Sequence, residues 1–176
     1  MNNCSPLSNT HITLRALEPT DLDLLYEWEN EASLWVASSC IAPYSRQMLW
    51  KYLQENSNDI YQTRELRLVA TLAESGQAIG IVDFTNFDPL NNRAELGLLI
   101  APPFQGKGLG RHTLDIATRY ALECIGLRQL YVFIAHDNVA CLSLFAEAGF
   151  ELAGVLKSWQ KRGHHYHDVH LLQCIF

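Results

Sequence analysis

No stretch of this chain approaches the roughly 18 consecutive apolar residues of a membrane-spanning helix. Its start, Met1-Asn2-Asn3-Cys4-Ser5-Pro6, has neither a basic lead nor an apolar signal core, so a soluble, cytoplasmic protein without membrane partners is expected. Cysteine pairing is also missing. The five cysteines (Cys4, Cys40, Cys124, Cys141, Cys174) are scattered, odd in number and free of any Cys-x-x-Cys motif, which argues for reduced thiols and against a disulfide framework or a zinc site. Positive charge is scarce: 13 Lys and Arg against 19 Asp and Glu give a formal charge of −6, which excludes nucleic-acid binding through a basic face. An acidic surface suits a cationic substrate. Repeats, low-complexity tracts and linkers are absent. With 48% apolar and 18% charged residues, the 176-residue chain reads as one globular domain over residues 10–176 behind a loose segment 1–9.

What is present alternates between strand and helix patterns. His11–Leu17 reads as a strand, and Glu18-Pro19-Thr20-Asp21 starts a helix with Thr20 as N-cap and Leu22, Leu25 and Trp28 as its apolar stripe. Residues 30–43 read as a loop carrying Trp35 and the small-residue patch Ala37-Ser38-Ser39-Cys40. A second helix spans Ser45–Glu55 with Met48, Leu49 and Tyr52 inward. Leu66–Leu72, Ala78–Phe87 and Arg93–Ile100 form three strands joined by turn-rich connections, an antiparallel meander. A helix to about Ile125 ends at Gly126. Gln129–Ala135 is apolar enough to be a strand buried on both faces. Asn138 caps a short helix closed by Gly149, and Phe150–Trp159 with His165–Ile175 forms a hairpin turned at Lys161-Arg162-Gly163. The fold class is therefore mixed α/β (α+β).

Between the third strand of the meander and its following helix lies Gln105-Gly106-Lys107-Gly108-Leu109-Gly110-Arg111. Strand, glycine-rich turn and helix start together expose backbone N–H groups and the positive end of a helix dipole to an anion. Gly-x-Gly-x-Gly matches neither the P-loop nor the Gly-x-Gly-x-x-Gly dinucleotide fingerprint. A pyrophosphate is the expected anion, with Lys107 and Arg111 at the rim.

The order Gln-x-x-Gly-x-Gly resembles the acetyl-CoA pyrophosphate loop of the GNAT N-acetyltransferase superfamily. Arg93-Ala94-Glu95-Leu96-Gly97 and Asn138-x-x-Cys141-x-x-x-Phe145-x-x-x-Gly149-Phe150 extend the likeness over residues 12–176. Within it the chain looks most like the spermidine N-acetyltransferases and the ribosomal-protein N-terminal acetyltransferases. The resemblance implies the GNAT fold, a central mixed and mostly antiparallel sheet flanked by helices. It implies acetyl-CoA as acetyl donor, with no metal, and transfer to a small-molecule amine or a peptide N-terminus. It assigns CoA binding to Leu98, Leu99, Ile100, Gln105, Gly106, Lys107, Gly108, Leu109, Gly110, Arg111, Asn138 and Phe145. Glu95 is the candidate base, acting directly or through water. Its alternatives are a salt bridge to Arg93 or a surface acid.

Gly97, in an apolar strand, suggests a bulge or a close approach. Glu31, Asp83 and Glu95 are candidate acids for a cationic acceptor. Phe145 departs from the family, whose tyrosine there donates a proton to the leaving thiolate; Ser143 and Tyr166 are the candidate replacements. Phe145 also favours the competing reading, an acyl-CoA-binding regulatory or interaction domain without turnover, while the intact loop and Glu95 speak against it. His165 and His167 share a strand face, but two histidines without a further ligand make a weak metal site. A homo-oligomer is among the expected assemblies.

Overall fold

The structure, a computed structural model, describes residues 5–31, 42–57 and 59–176. Trp35 and the patch Ala37–Cys40 lie outside the described residues. Seven strands form one sheet: β1 (Ile12–Ala16), β2 (Leu66–Leu72), β3 (Ala78–Asp88), β4 (Arg93–Ile100), β5 (Gln129–Ala135), β6 (Glu151–Arg162) and β7 (His165–Ile175), in the order β1-β2-β3-β4-β5-β7-β6. Every neighbouring pair is antiparallel except β4–β5. The helices are α1 (Leu22–Glu29), α2 (Arg46–Glu55), the single turn α3 (Ile60–Thr63), α4 (Leu109–Tyr120) and α5 (Val139–Glu147). This is the mixed, mostly antiparallel sheet flanked by helices that the resemblance implies.

Strand alternation sends side chains to two cores. On one face Leu14, Leu68, Val82, Phe84 and Leu96 pack with Leu114 and Ile116 of α4 and Phe145 of α5. On the other, Val69, Ile81 and Ala101 meet Leu25 and Trp28 of α1 and Leu49 and Leu53 of α2. α1 and α2 pack against β2, β3 and β4. β5 is therefore buried on one face, by Leu130, Val132 and Ile134, while Phe133 on the other is 39% exposed. The expectation of burial on both faces is corrected for that reason.

Other local expectations shift. The turn before α1 has Glu18 as its N-cap, whose N–H donates to Asp21 Oδ2 at 2.8 Å while the Asp21 N–H bonds the Glu18 carbonyl, so Thr20 is not the cap. Ser45 caps α2, its Oγ accepting from the Met48 N–H at 3.2 Å. Met48 itself is 58% exposed, because Leu49 and Leu53, one turn apart, already form the buried stripe. α4 closes through a π-helical turn, Ala121–Ile125, onto the left-handed Gly126. The hairpin turns at Gly163-His164, since Arg162 still pairs with His165. Residues 7–9 are not loose: the Leu14 N–H bonds the Leu7 carbonyl at 2.7 Å, and Arg119 of α4 donates to the Ser8 carbonyl at 2.8 Å.

A close backbone approach lies at Gly80 on β3. A Cβ there would stand 2.1 Å from the Leu99 carbonyl oxygen on β4. Neither backbone yields without breaking the ladder, so Gly80→Ala is expected to cost more than about 3 kcal/mol, beyond ordinary overpacking. Urea unfolding measures it, and parental stability would refute so close a contact.

Candidate active site

The site begins where two strands part. β4 and β5 pair only at Arg93↔Gln129, Ala94↔Leu130 and Glu95↔Tyr131. Beyond Glu95, β4 continues against β3 to Ile100 but has lost its other neighbour. The Ala101 N–H bonds the Ile79 carbonyl on β3 at 2.8 Å, so Leu99, two residues back, also turns its backbone toward β3. Leu98 and Ile100 then face the opened side. The Ile100 carbonyl accepts from Gln105 Nε2 at 2.7 Å, which joins the strand end to the loop. Of the three expected backbone contacts, Leu99 is turned away by the alternation.

The loop follows directly. Gly106 and Gly108 are left-handed, with φ of 71° and 76°, and Gly108 is the N-cap of α4. That conformation favours glycine and turns successive N–H groups outward. Among the described residues, no backbone acceptor takes the N–H of Gly106, Lys107, Gly108, Leu109 or Gly110. Gly110 lies in the first turn of α4, where a Cβ would come 3.4 Å from Leu144 of α5. Lys107 Nζ sits 5.7 Å from the Phe104 ring centre, and Arg111 Nε bonds Asp115 at 2.8 Å. Such an arrangement, with two cations beside it, can receive an anion.

On the α1–α2 face the sheet carries a cleft of about 330 Å³ lined by Glu29, Tyr44, Met48, Leu49, Tyr52, Glu65, Arg67, Asp83 and Thr85. Arg67 is its charged centre, with Nε 2.6 Å from Asp83 Oδ1 and NH1 2.6 Å from Glu29 Oε1. Burial pushes its guanidinium toward the neutral form, but attraction to Asp83 and the hydrogen bonds between them outweigh this and hold its pKa above the ordinary value. The Tyr52 ring lies 5.6 Å from Arg67 Cζ, and burial pushes its phenol up to about 12. Asp83 stands opposite Gly97, where a Cβ would come 3.2 Å from the Asp83 Cβ. Gly97 therefore marks a close approach; no register shift occurs there. Glu95 lies on the same face at the vertex of the split, its Oε2 accepting from Asn86 Nδ2 at 2.8 Å. Arg93 pairs instead with Asp88, at 3.2 Å.

The remaining candidates are dispersed. Phe145 is 1% exposed, its ring edge-to-face with Phe150 at 5.0 Å. Ser143 is exposed on α5, about 200° around the helix from Phe145, and bonds Glu147 at 3.0 Å. Tyr166 is 60% exposed, beyond the last residue of β7 that pairs with β5. Asn138 caps α5, its Oδ1 accepting from the Cys141 N–H at 3.2 Å. Glu31 follows α1 and is exposed, whereas Glu29, two residues earlier, lines the cleft. His167 stands 3.8 Å from Asp137, and no group of three or more metal-ligating side chains occurs among the described residues.

Sequence reasoning missed Glu29, Glu65, Arg67, Asn86 and Tyr131. Arg67 had a signal: a lone charge inside the apolar run Leu66–Leu72, which calls for a buried partner. Asn86 had none, because its reach to Glu95 depends on cross-strand register.

Comparison with known proteins agrees with this arrangement. The sequence profile of the acetyltransferase (GNAT) domain matches residues 11–151. The spermidine N(1)-acetyltransferase of Vibrio cholerae is 30% identical over 152 residues, 84% of this chain and 83% of that protein. The ribosomal-protein-serine acetyltransferase of Escherichia coli is 28% identical over 95 residues, 54% of this chain and 53% of that protein. The crystal structure of the Vibrio cholerae spermidine N-acetyltransferase in complex with CoA and spermine superposes with a TM-score of 0.86 at 27% identity, covering 95% of this chain and 96% of that one. The matched span takes in the split strands, the glycine loop and the helix capped by Asn138, and the chain belongs to the GNAT acetyltransferase family as an N-acetyltransferase.

Proposed function

We propose that this enzyme transfers acetyl from acetyl-CoA to a primary amine of a spermidine-like polyamine. The pyrophosphate binds the N–H groups of Gly106–Gly110, and the pantetheine arm runs along the open edge of β4, through the backbone of Leu98, toward the vertex at Glu95. The amine enters from the cleft. An alkylammonium holds its proton to a pKa of about 10.4, so it must be deprotonated before attack. Glu95 takes that proton, directly or through water. The amine nitrogen then bonds the thioester carbon, the Leu98 N–H supports the oxyanion, the nitrogen gives its second proton to solvent, and the carbon–sulfur bond breaks to release CoA thiolate. Phe145 has no proton to give, so the thiolate leaves without help from that position.

The cleft carries the acceptor assignment. Three carboxylates, Glu29, Glu65 and Asp83, stand against one guanidinium, Arg67, leaving net negative charge for ammonium groups. Tyr44, Met48, Leu49 and Tyr52 offer apolar surface to the methylenes between them. A peptide N-terminus has no second ammonium at that spacing. The relatives named for spermidine and the complex with spermine support the same acceptor class. A reading as an acyl-CoA-binding domain without turnover finds no comparable support, since these relatives are named as enzymes.

Thiol release across a panel of spermidine, spermine, monoamines and peptide N-termini tests the assignment. The polyamines are expected to give a kcat/KM at least about tenfold above the others, about 1.4 kcal/mol of discrimination. Preference for peptides would overturn it. For the donor, Gly108→Glu sets a carboxylate at the pyrophosphate position, and calorimetry is expected to detect no acetyl-CoA binding by the folded variant. Unchanged affinity would remove the loop from the donor site. Phe145→Tyr buries a hydroxyl in the α4–α5 core; the expected outcome is a stability loss of about 1–3 kcal/mol with no gain in rate. A faster variant of parental melting temperature would instead put the ring edge beside the departing sulfur.

A further inference from the structure

We infer that Asn86 is a positioning residue for the catalytic carboxylate, built into the sheet by a β-bulge. The inference rests on the reading of Glu95 as the base. Thr85 pairs with Glu95 and Asp88 with Arg93, so two residues of β3, Asn86 and Phe87, stand opposite the single Ala94 of β4. Regular alternation from Thr85 would bury Asn86 in the α4–α5 core and turn Phe87 out onto the cleft face. The extra residue reverses both. Phe87 is buried in that core, its N–H leaving the ladder to bond the Arg64 carbonyl at 3.1 Å. Asn86 is exposed and delivers its amide to Glu95 Oε2 at 2.8 Å.

The backbone carries the cost of this placement. Asn86 has φ of 51°, the left-handed region that asparagine enters more readily than most residues but still less easily than glycine. A bulge needing only the turn would be served best by glycine. Asparagine adds a donor, and that donor meets the side chain nearest the vertex of the strand split. With one oxygen held, the other is left to take the proton of the entering amine. Three further titratable or charged side chains share this corner: Tyr131 on β5, paired in register with Glu95, and Asp88 and Arg93, which pair with each other. Only Asn86 makes a hydrogen bond to the Glu95 carboxylate among the described contacts.

Asn86→Gly keeps the left-handed backbone and removes the amide; Asn86→Asp keeps the shape and replaces the donor with a charge that repels Glu95. With spermidine and acetyl-CoA as probes, Asn86→Gly is expected to lower kcat about tenfold, a fraction of what a general base supplies. KM for acetyl-CoA and melting temperature should stay at parental values. Asn86→Asp should be slower still at neutral pH, with the acid limb of its kcat/KM profile displaced to higher pH. Glu95→Gln is the control. If Glu95→Gln is slow and Asn86→Gly keeps the parental kcat and pH profile, the positioning role is overturned while the base reading stands. If Glu95→Gln itself turns over at the parental rate, the base reading falls and this inference falls with it.

Discussion

The parting of β4 from β5 after Glu95 is the constraint on which the site depends. A parallel pair that stayed in register to Ile100 would satisfy the outward backbone groups of Leu98 and Ile100 and leave nothing for an extended ligand to bind. Pairing stops after three residue pairs, and the strand that loses its neighbour leads straight into the glycine loop. Gln105, reaching back to the Ile100 carbonyl, ties the open strand edge to the glycine loop. The open edge stays ordered because β3 holds the other side of β4 along its whole length.

Charge in the cleft is arranged around one guanidinium. A half-buried guanidinium is costly without partners, and Arg67 pairs with Asp83 of β3 and Glu29 of α1. That pairing fixes the cleft wall across two elements remote in sequence. It also leaves more carboxylate than guanidinium facing the cavity, which is the polarity an ammonium acceptor requires. Gly97 keeps the β4 side of this wall free of a side chain, so Asp83 can stand close to the strand that carries Glu95.

Phe145 illustrates how a departure from a family pattern is read once the fold is known. By residue type it is a missing proton donor. By position it is a core residue, stacked edge-on to Phe150 and sealed between α4, α5 and the sheet. Ser143 and Tyr166, the candidate replacement donors, lie on the outer face of a helix and on an overhanging hairpin.

Most elements were legible in the sequence because their signals are local. β2, β4, β5 and β7 run from Leu66, Arg93, Gln129 and His165 as their apolar patterns indicate, and the glycine loop is a contiguous string between a strand and a helix. Asp83 and Glu95 are among the acids the sequence offers for a cationic acceptor. What the sequence by itself did not determine was everything set by register between strands: the loss of pairing after Glu95, the Arg67 cluster, and the bulge that turns Phe87 inward and Asn86 toward Glu95. A strand's own pattern states which residues share a face. It does not state which residue of the next strand lies opposite, nor where one extra residue reverses that face, because both follow from packing the whole sheet between its two layers of helices.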